Sequence, residues 1–211
     1  LIEAVDEEHG DDYAKLAGLT AEDDMREPLF KSIGKRIPWL IVLFALGMGV
    51  SGVVGLFEKV IDKLAFIVSF QSLILGMAGN VGTQSLAVTI RVLSDEQLSG
   101  KNVFRLIWKE VRVGFVNGLL LGLMSFALIG AYLCLSLNPA KAFLTSGCIG
   151  LAMLAAMILS SFFGTVIPLF FNKIKIDPAV ASGPLITTIN DLIAVVTYYG
   201  LAWLLILNLA V

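Results

Sequence analysis

Five uncharged, apolar stretches dominate this chain, each near or above the length that crosses a membrane, and they leave few folds open to it. They run from Pro38 to Phe57, Leu64 to Ile90, Val113 to Ala140, Ala142 to Asn172 and Ala179 to Val211, the last broken only by Asp191. About 20 apolar residues span the hydrocarbon layer of a bilayer, so each run is a candidate spanning helix. The predicted fold is all-α, a polytopic membrane protein with five transmembrane helices per chain. Several runs exceed that length, which implies tilt or kinks, with Pro168 and Pro184 as the candidate kink sites.

Composition excludes an ordinary soluble enzyme, because 57% of the residues are hydrophobic and 15% charged, against roughly 45–50% and about 25% in soluble domains. Ten acidic residues crowd into positions 1 to 27, including Glu8, Asp11 and Asp12, and make a short acidic tail on an apolar body. No basic cluster is longer than Lys35-Arg36, which argues against a nucleic-acid partner. His9, the one histidine, lies in the tail and leaves neither a histidine-ligated zinc nor a membrane-embedded histidine base. The sequence starts at Leu1 without the pattern of a signal peptide, as a fragment of a longer protein would.

Lysine and arginine set the expected orientation, since short connections rich in them stay on the cytoplasmic side. Lys31, Lys35, Arg36, Arg91, Lys101, Arg105, Lys109, Arg112, Lys173 and Lys175 fall on one side; Lys59, Lys63 and Lys141 fall on the other. The tail is therefore expected inside and the C-terminus outside. Val103, Ile107 and Val111, four residues apart in the longest connection, predict a short amphipathic helix on the inner membrane surface. Cys134 and Cys148 each lie seven residues from Lys141, which would allow a disulfide at matching depth, although cysteines in apolar runs more commonly serve as packing residues.

Asp191 is the one acidic residue inside an uncharged run. A carboxylate there costs roughly 2.5–3.5 kcal/mol on insertion scales, so it needs a compensating role. Helical spacing puts Pro184, Thr187, Thr188, Asp191 and Ala194 on one stripe, which suits a hydrated cation's path; the bland alternative is that the hydroxyls bond back to carbonyls one turn earlier. In the second run Gly76, Gly79, Asn80 and Thr83 repeat at helical spacing, with Gly82 and Gln84 between and beyond them. Small residues let helices approach, and Asn, Thr and Gln add oxygens. Asn80 and Asp191 both fall about 16–18 Å from the cytoplasmic ends of their runs, so the two polar sites can share one level. Oxygen ligands with retained water suit Mg²⁺, and a two-fold axis would pair the acid with its copy.

These residues carry a family resemblance. The segments Asp12-Tyr13-Ala14-Lys15-Leu16-Ala17-Gly18, Arg36-Ile37-Pro38-Trp39-Leu40, Gly76 through Gly79-Asn80-Val81-Gly82-Thr83-Gln84-Ser85, and Asp177-Pro178-Ala179 with Gly183-Pro184, Thr187-Thr188 and Asp191 resemble the transmembrane part of MgtE-type magnesium channels or transporters. Thr83 stands where that family often has Asn, and Ala194 where it often has Gly. The resemblance implies a homodimer in the plasma (inner) membrane, with a pore at its axis lined by the second and fifth spans and hydrated Mg²⁺ held by a pair of Asp191 carboxylates. Asn80, Thr83, Thr187, Thr188 and Asp177 are the further candidate metal-site residues, and Gly76, Gly79, Gly82 and Pro184 the pore-helix packing residues. On this reading residues 1–35 are an acidic cytoplasmic tail or connecting helix and 36–211 the pore domain. Glu8, Asp11 and Asp12 would be a regulatory metal site on that helix, or simply a solvated acidic tail. The family's cytosolic CBS-type sensor domains have no counterpart in this sequence.

The rival within transport is a proton- or sodium-coupled divalent-cation carrier using Asp191 as coupling acid. A non-transporting anchor or receptor would have no need of Asp191. An intramembrane hydrolase finds no second acid beside Asp191, no His-Glu-x-x-His helix and no histidine within reach of a serine. The chain is accordingly expected not to be an enzyme.

Overall fold

A computed structural model describes residues 28–63, 65–95, 100–178 and 183–207, and they are helical almost throughout. Helix α1 is Leu29–Leu56, α2 the short Glu58–Lys63, α3 Ala65–Asp95, α4 Gly100–Leu133, α5 Pro139–Lys173 and α6 Gly183–Ala202, which runs on into a π-helical turn at Trp203–Leu207. Five of these elements are long and apolar enough to cross a membrane: all but α2. The acidic tail, with Glu8, Asp11 and Asp12, lies outside the described residues.

The helix ends follow from local chemistry. Asn138 caps α5 by accepting from the Ala140 N–H at 3.0 Å, and Pro139 occupies the first turn, where its missing N–H costs nothing. At the other end Lys175 takes a left-handed φ of 61°, Ile176 N–H reaches Phe171 C=O at 2.9 Å and Lys175 N–H reaches Asn172 C=O at 3.1 Å. That is a Schellman turn closed by lysine rather than glycine.

Helix α5 occupies the centre and packs along α4, α3 and α6, and its buried Ala152, Met153, Ala156 and Met157 join Ile74, Ala78, Val195 and Tyr199 in one core. At the closest point of α4 and α5 backbone meets backbone: a Cβ on Gly122 would stand 2.7 Å from the Gly150 carbonyl oxygen, and the reverse holds for Gly150. Tyr198 donates its hydroxyl to Ile67 C=O at 2.7 Å and Tyr199 donates to Gln71 Oε1 at 2.5 Å, tying the end of α6 to the start of α3. Helix α1 buries no residue; it leans on α6 and turns Phe30, Leu40, Ile41, Phe44 and Met48 outward, a surface suited to lipid.

Two expectations need correction. The inner amphipathic surface helix is absent among the described residues, because Val103, Ile107 and Val111 belong to one unbroken α4 of 34 residues. No proline or internal glycine interrupts Lys101 to Val113, so nothing stops the helix there. Consequently Asp191 is not the one acid on a spanning helix. Glu110 sits on α4, 4% exposed, accepts from Ser85 Oγ at 3.0 Å and pairs with Lys109 at 3.1 Å. The two cysteines are free thiols, Cys148 buried and Cys134 half-buried.

Candidate cation site

Helix α6 meets α3 where α3 lacks side chains. A Cβ on Gly79 would lie 3.3 Å from Thr187 Cγ2, and one on Gly82 would overlap the Asn190 amide. From the other side α5 presses in at Gly164, whose Cβ would strike the Gly82 carbonyl. Three helices therefore converge on Gly82, and a side chain there must push the Asn190 amide aside. Since Asn80 follows Gly79 and Asp191 follows Asn190, both polar positions sit at this crossing level.

The stripe on α6 is half-buried at Pro184, Thr187, Thr188 and Asp191 and ends at Ala194, which is fully buried. Thr187 donates to Gly183 C=O at 2.8 Å and Thr188 to Pro184 C=O at 2.9 Å, while on α3 Thr83 donates to Gly79 C=O at 2.8 Å. The bland expectation for these hydroxyls is thus met, and it has a chemical corollary. A hydroxyl that has given its proton to a carbonyl offers only lone pairs outward, and lone pairs are what the protons of a hydrated cation's waters seek.

Asn80, Thr83 and Gln84 of α3 are exposed. With Val81, Asn117 of α4 and Met157 of α5 they line a groove of about 630 Å³. Gly76 has open space where its Cβ would be, so only Gly79 and Gly82 of the three glycines meet another helix. Asp177 is exposed in the segment before α6, and its place relative to Asp191 runs through residues 179–182, which lie outside the described set.

Three polar residues escaped the sequence reading. Asn190 is fully buried, and neither atom of its amide has a hydrogen-bond partner among the described residues. Glu110 lies in the charge-rich stretch from Arg91 to Arg112 that reads as a connection. Asn117 lies in an apolar run, where an amide amid Val113 to Leu133 is itself a signal.

Comparison with known proteins gives the family. Residues 71–201 match the family described as MgtE, divalent cation transporter. The chain is similar to the magnesium transporter MgtE of Enterococcus faecalis, 40% identical over 96% of this chain and 43% of that protein. It is likewise similar to those of Bacillus subtilis, 34% identical over 96% of this chain and 43% of that protein, and Thermus thermophilus, 29% identical over 81% and 36%. The chain thus spans less than half the length of the curated relatives it matches. With its matched region reaching from within α3 to within α6 and so enclosing the crossing at Gly82, the chain belongs to the MgtE family of divalent cation transporters.

Proposed function

We propose that the chain forms a homodimeric pore through which hydrated Mg²⁺ crosses the plasma membrane, with one Asp191 from each subunit facing the two-fold axis. The setting of Asp191 carries this reading: a half-buried carboxylate on a spanning helix, on one stripe with Thr187 and Thr188, whose hydroxyls are committed to backbone carbonyls. One carboxylate is a weak divalent site; a two-fold axis supplies two charges for one ion, and two-fold dimers are the commonest oligomers. Among the described residues no three of His, Cys, Asp and Glu come together. An ion that keeps its water fits such a sparse donor set, and Mg²⁺ dehydrates reluctantly.

The relatives named as magnesium transporters support Mg²⁺ as the substrate. The division of lysine and arginine supports a reading with the tail inside. CBS-type sensor domains, where present in the protein, would act from that side. Reconstitution in liposomes tests the reading: Mg²⁺ influx follows the Mg²⁺ gradient with no proton or sodium gradient imposed, and Asp191→Asn reduces it to background. Influx that requires a proton or sodium gradient would instead establish a coupled carrier.

A further inference from the structure

The amides of α3 open onto a groove that no residue of α6 lines, which raises the question of what they serve. Asn80, Thr83 and Gln84 open onto the groove whose far wall is α4 and whose floor includes Met157 of α5. The far wall contributes Asn117, half-buried, one of few polar side chains in the apolar stretch Val113 to Leu133. Ser85 and Glu110 fix the register of the two walls, joined by a hydrogen bond of 3.0 Å. Counting back five residues on α3 and forward seven on α4 from that link brings Asn80 and Asn117 to similar depth, at about 7.5 and 10.5 Å from it.

We infer that this groove is a binding station for a hydrated divalent cation and that Asn117 supplies its α4 wall. The inference rests on the reading of the chain as a Mg²⁺ path. Six waters at about 30 Å³ each occupy about 180 Å³, well within the groove of about 630 Å³. A hydrated Mg²⁺ turns water protons outward, so its walls must accept. Asn80, Gln84 and Asn117 each carry an amide oxygen, and Thr83, its proton given to Gly79 C=O at 2.8 Å, presents lone pairs alone. Four acceptors from two helices surround the space without a carboxylate among them, so the ion is held through its water and released readily. Glu110 is not a ligand in this scheme: buried, bonded to Ser85 and paired with Lys109, it holds the spacing of the walls.

The test uses the protein reconstituted in liposomes. Asn117→Leu raises the Mg²⁺ concentration for half-maximal influx roughly ten-fold, as loss of a water-mediated contact at the station requires, while Asn117→Gln stays within about three-fold of wild type. In a Cys134→Ser, Cys148→Ser background, Asn117→Cys reacts with a charged, water-soluble thiol reagent, and Mg²⁺ slows that reaction several-fold. Wild-type influx in Asn117→Leu, or labelling of Asn117→Cys that is absent or indifferent to Mg²⁺, overturns the station. Asp191→Ala run alongside separates the two readings. If it abolishes influx while Asn117 variants behave as wild type, only the groove assignment falls; if it leaves influx intact, the Asp191 pore falls and the labelling still decides the groove.

Discussion

Helix pairs α4–α5 and α3–α6 use the same device to opposite ends. In both, glycine removes the side chain at the crossing and lets another helix come close. Between α4 and α5 the middle of the crossing meets backbone and apolar side chain, Gly122 against the Gly150 carbonyl and Gly118 against Leu154, with the hydroxyls of Ser161 and Ser146 beside Gly114 and Gly130 on either side. Between α3 and α6 the glycines meet Thr187 and Asn190, and the Asn190 amide is buried with both atoms unpartnered among the described residues. An unpartnered buried polar group costs about 1–3 kcal/mol, and among the described residues Asn190 leaves two such atoms at the α3–α6 crossing where Ser161 leaves one between α4 and α5. The first pair is held chiefly by backbone approach and the second around a buried amide, on the side of the molecule where the proposed ion site lies.

The largest expected effect distinguishes the pairs by function. Asp191→Ala abolishes Mg²⁺ uptake but leaves the protein folded, because it removes a charge from the membrane interior, whereas Asp191→Glu keeps part of the activity, since a water shell tolerates some displacement of its acceptor. Liposome flux together with thermal unfolding in detergent checks both; undiminished flux in a folded Asp191→Ala protein removes the ion site from α6.

Next in size is an effect on the scaffold. Gly122→Val sets side-chain atoms against the Gly150 carbonyl, which cannot turn aside as a flexible side chain can. Overpacking of this kind costs about 1–3 kcal/mol, and thermal unfolding should show the loss even where residual flux per folded protein is normal. At the other crossing Gly82→Ala places a methyl on the Asn190 amide, and trimming that amide makes room for it. Asn190→Ala in the Gly82→Ala background therefore restores part of both stability and flux, with a coupling of about 0.5–3 kcal/mol. Additive losses would mean that Gly82 and Asn190 do not share the space assigned to them.

Smaller still is the effect of Asn80→Leu. It should shift the ratio of Mg²⁺ to Ca²⁺ in competitive uptake while sparing stability, since Asn80 is exposed on the groove side of α3. An unchanged ratio and rate would leave Asn80 to helix packing. The smallest expected effect belongs to the acidic tail. Deleting residues 1 to 27 should weaken the inhibition of flux by internal Mg²⁺ by about 1–2 kcal/mol of state bias, the low end of allosteric couplings; identical Mg²⁺ dependence with and without the tail would show that Glu8, Asp11 and Asp12 regulate nothing.

What the sequence made legible followed from local rules. Long apolar runs can only be helices of about the observed length, and spacing by three and four residues placed Thr187, Thr188 and Asp191 on one half-buried stripe. What it hid depends on distant partners. Glu110 is buried because Ser85, 25 positions earlier, comes to its side, and a count of charges marks the same stretch as a connection. Asn190 is buried because Gly82 and Gly164 bring three helices to one point, and nothing near Asn190 in the chain announces that. Gly76 differs from Gly79 at the same spacing: within this chain its Cβ position is open space.

The unbroken course of α4 has a mechanical consequence. At 1.5 Å per residue its 34 residues make a rod about 51 Å long, against a hydrocarbon layer of about 30 Å. Such a rod either leans steeply or stands proud of the bilayer, and its lean changes when the bilayer thins or thickens. Fastened to α5 along its glycines and to α3 through Glu110 and Ser85, it cannot change its lean alone: α5 and the helix that lines the groove must lean with it.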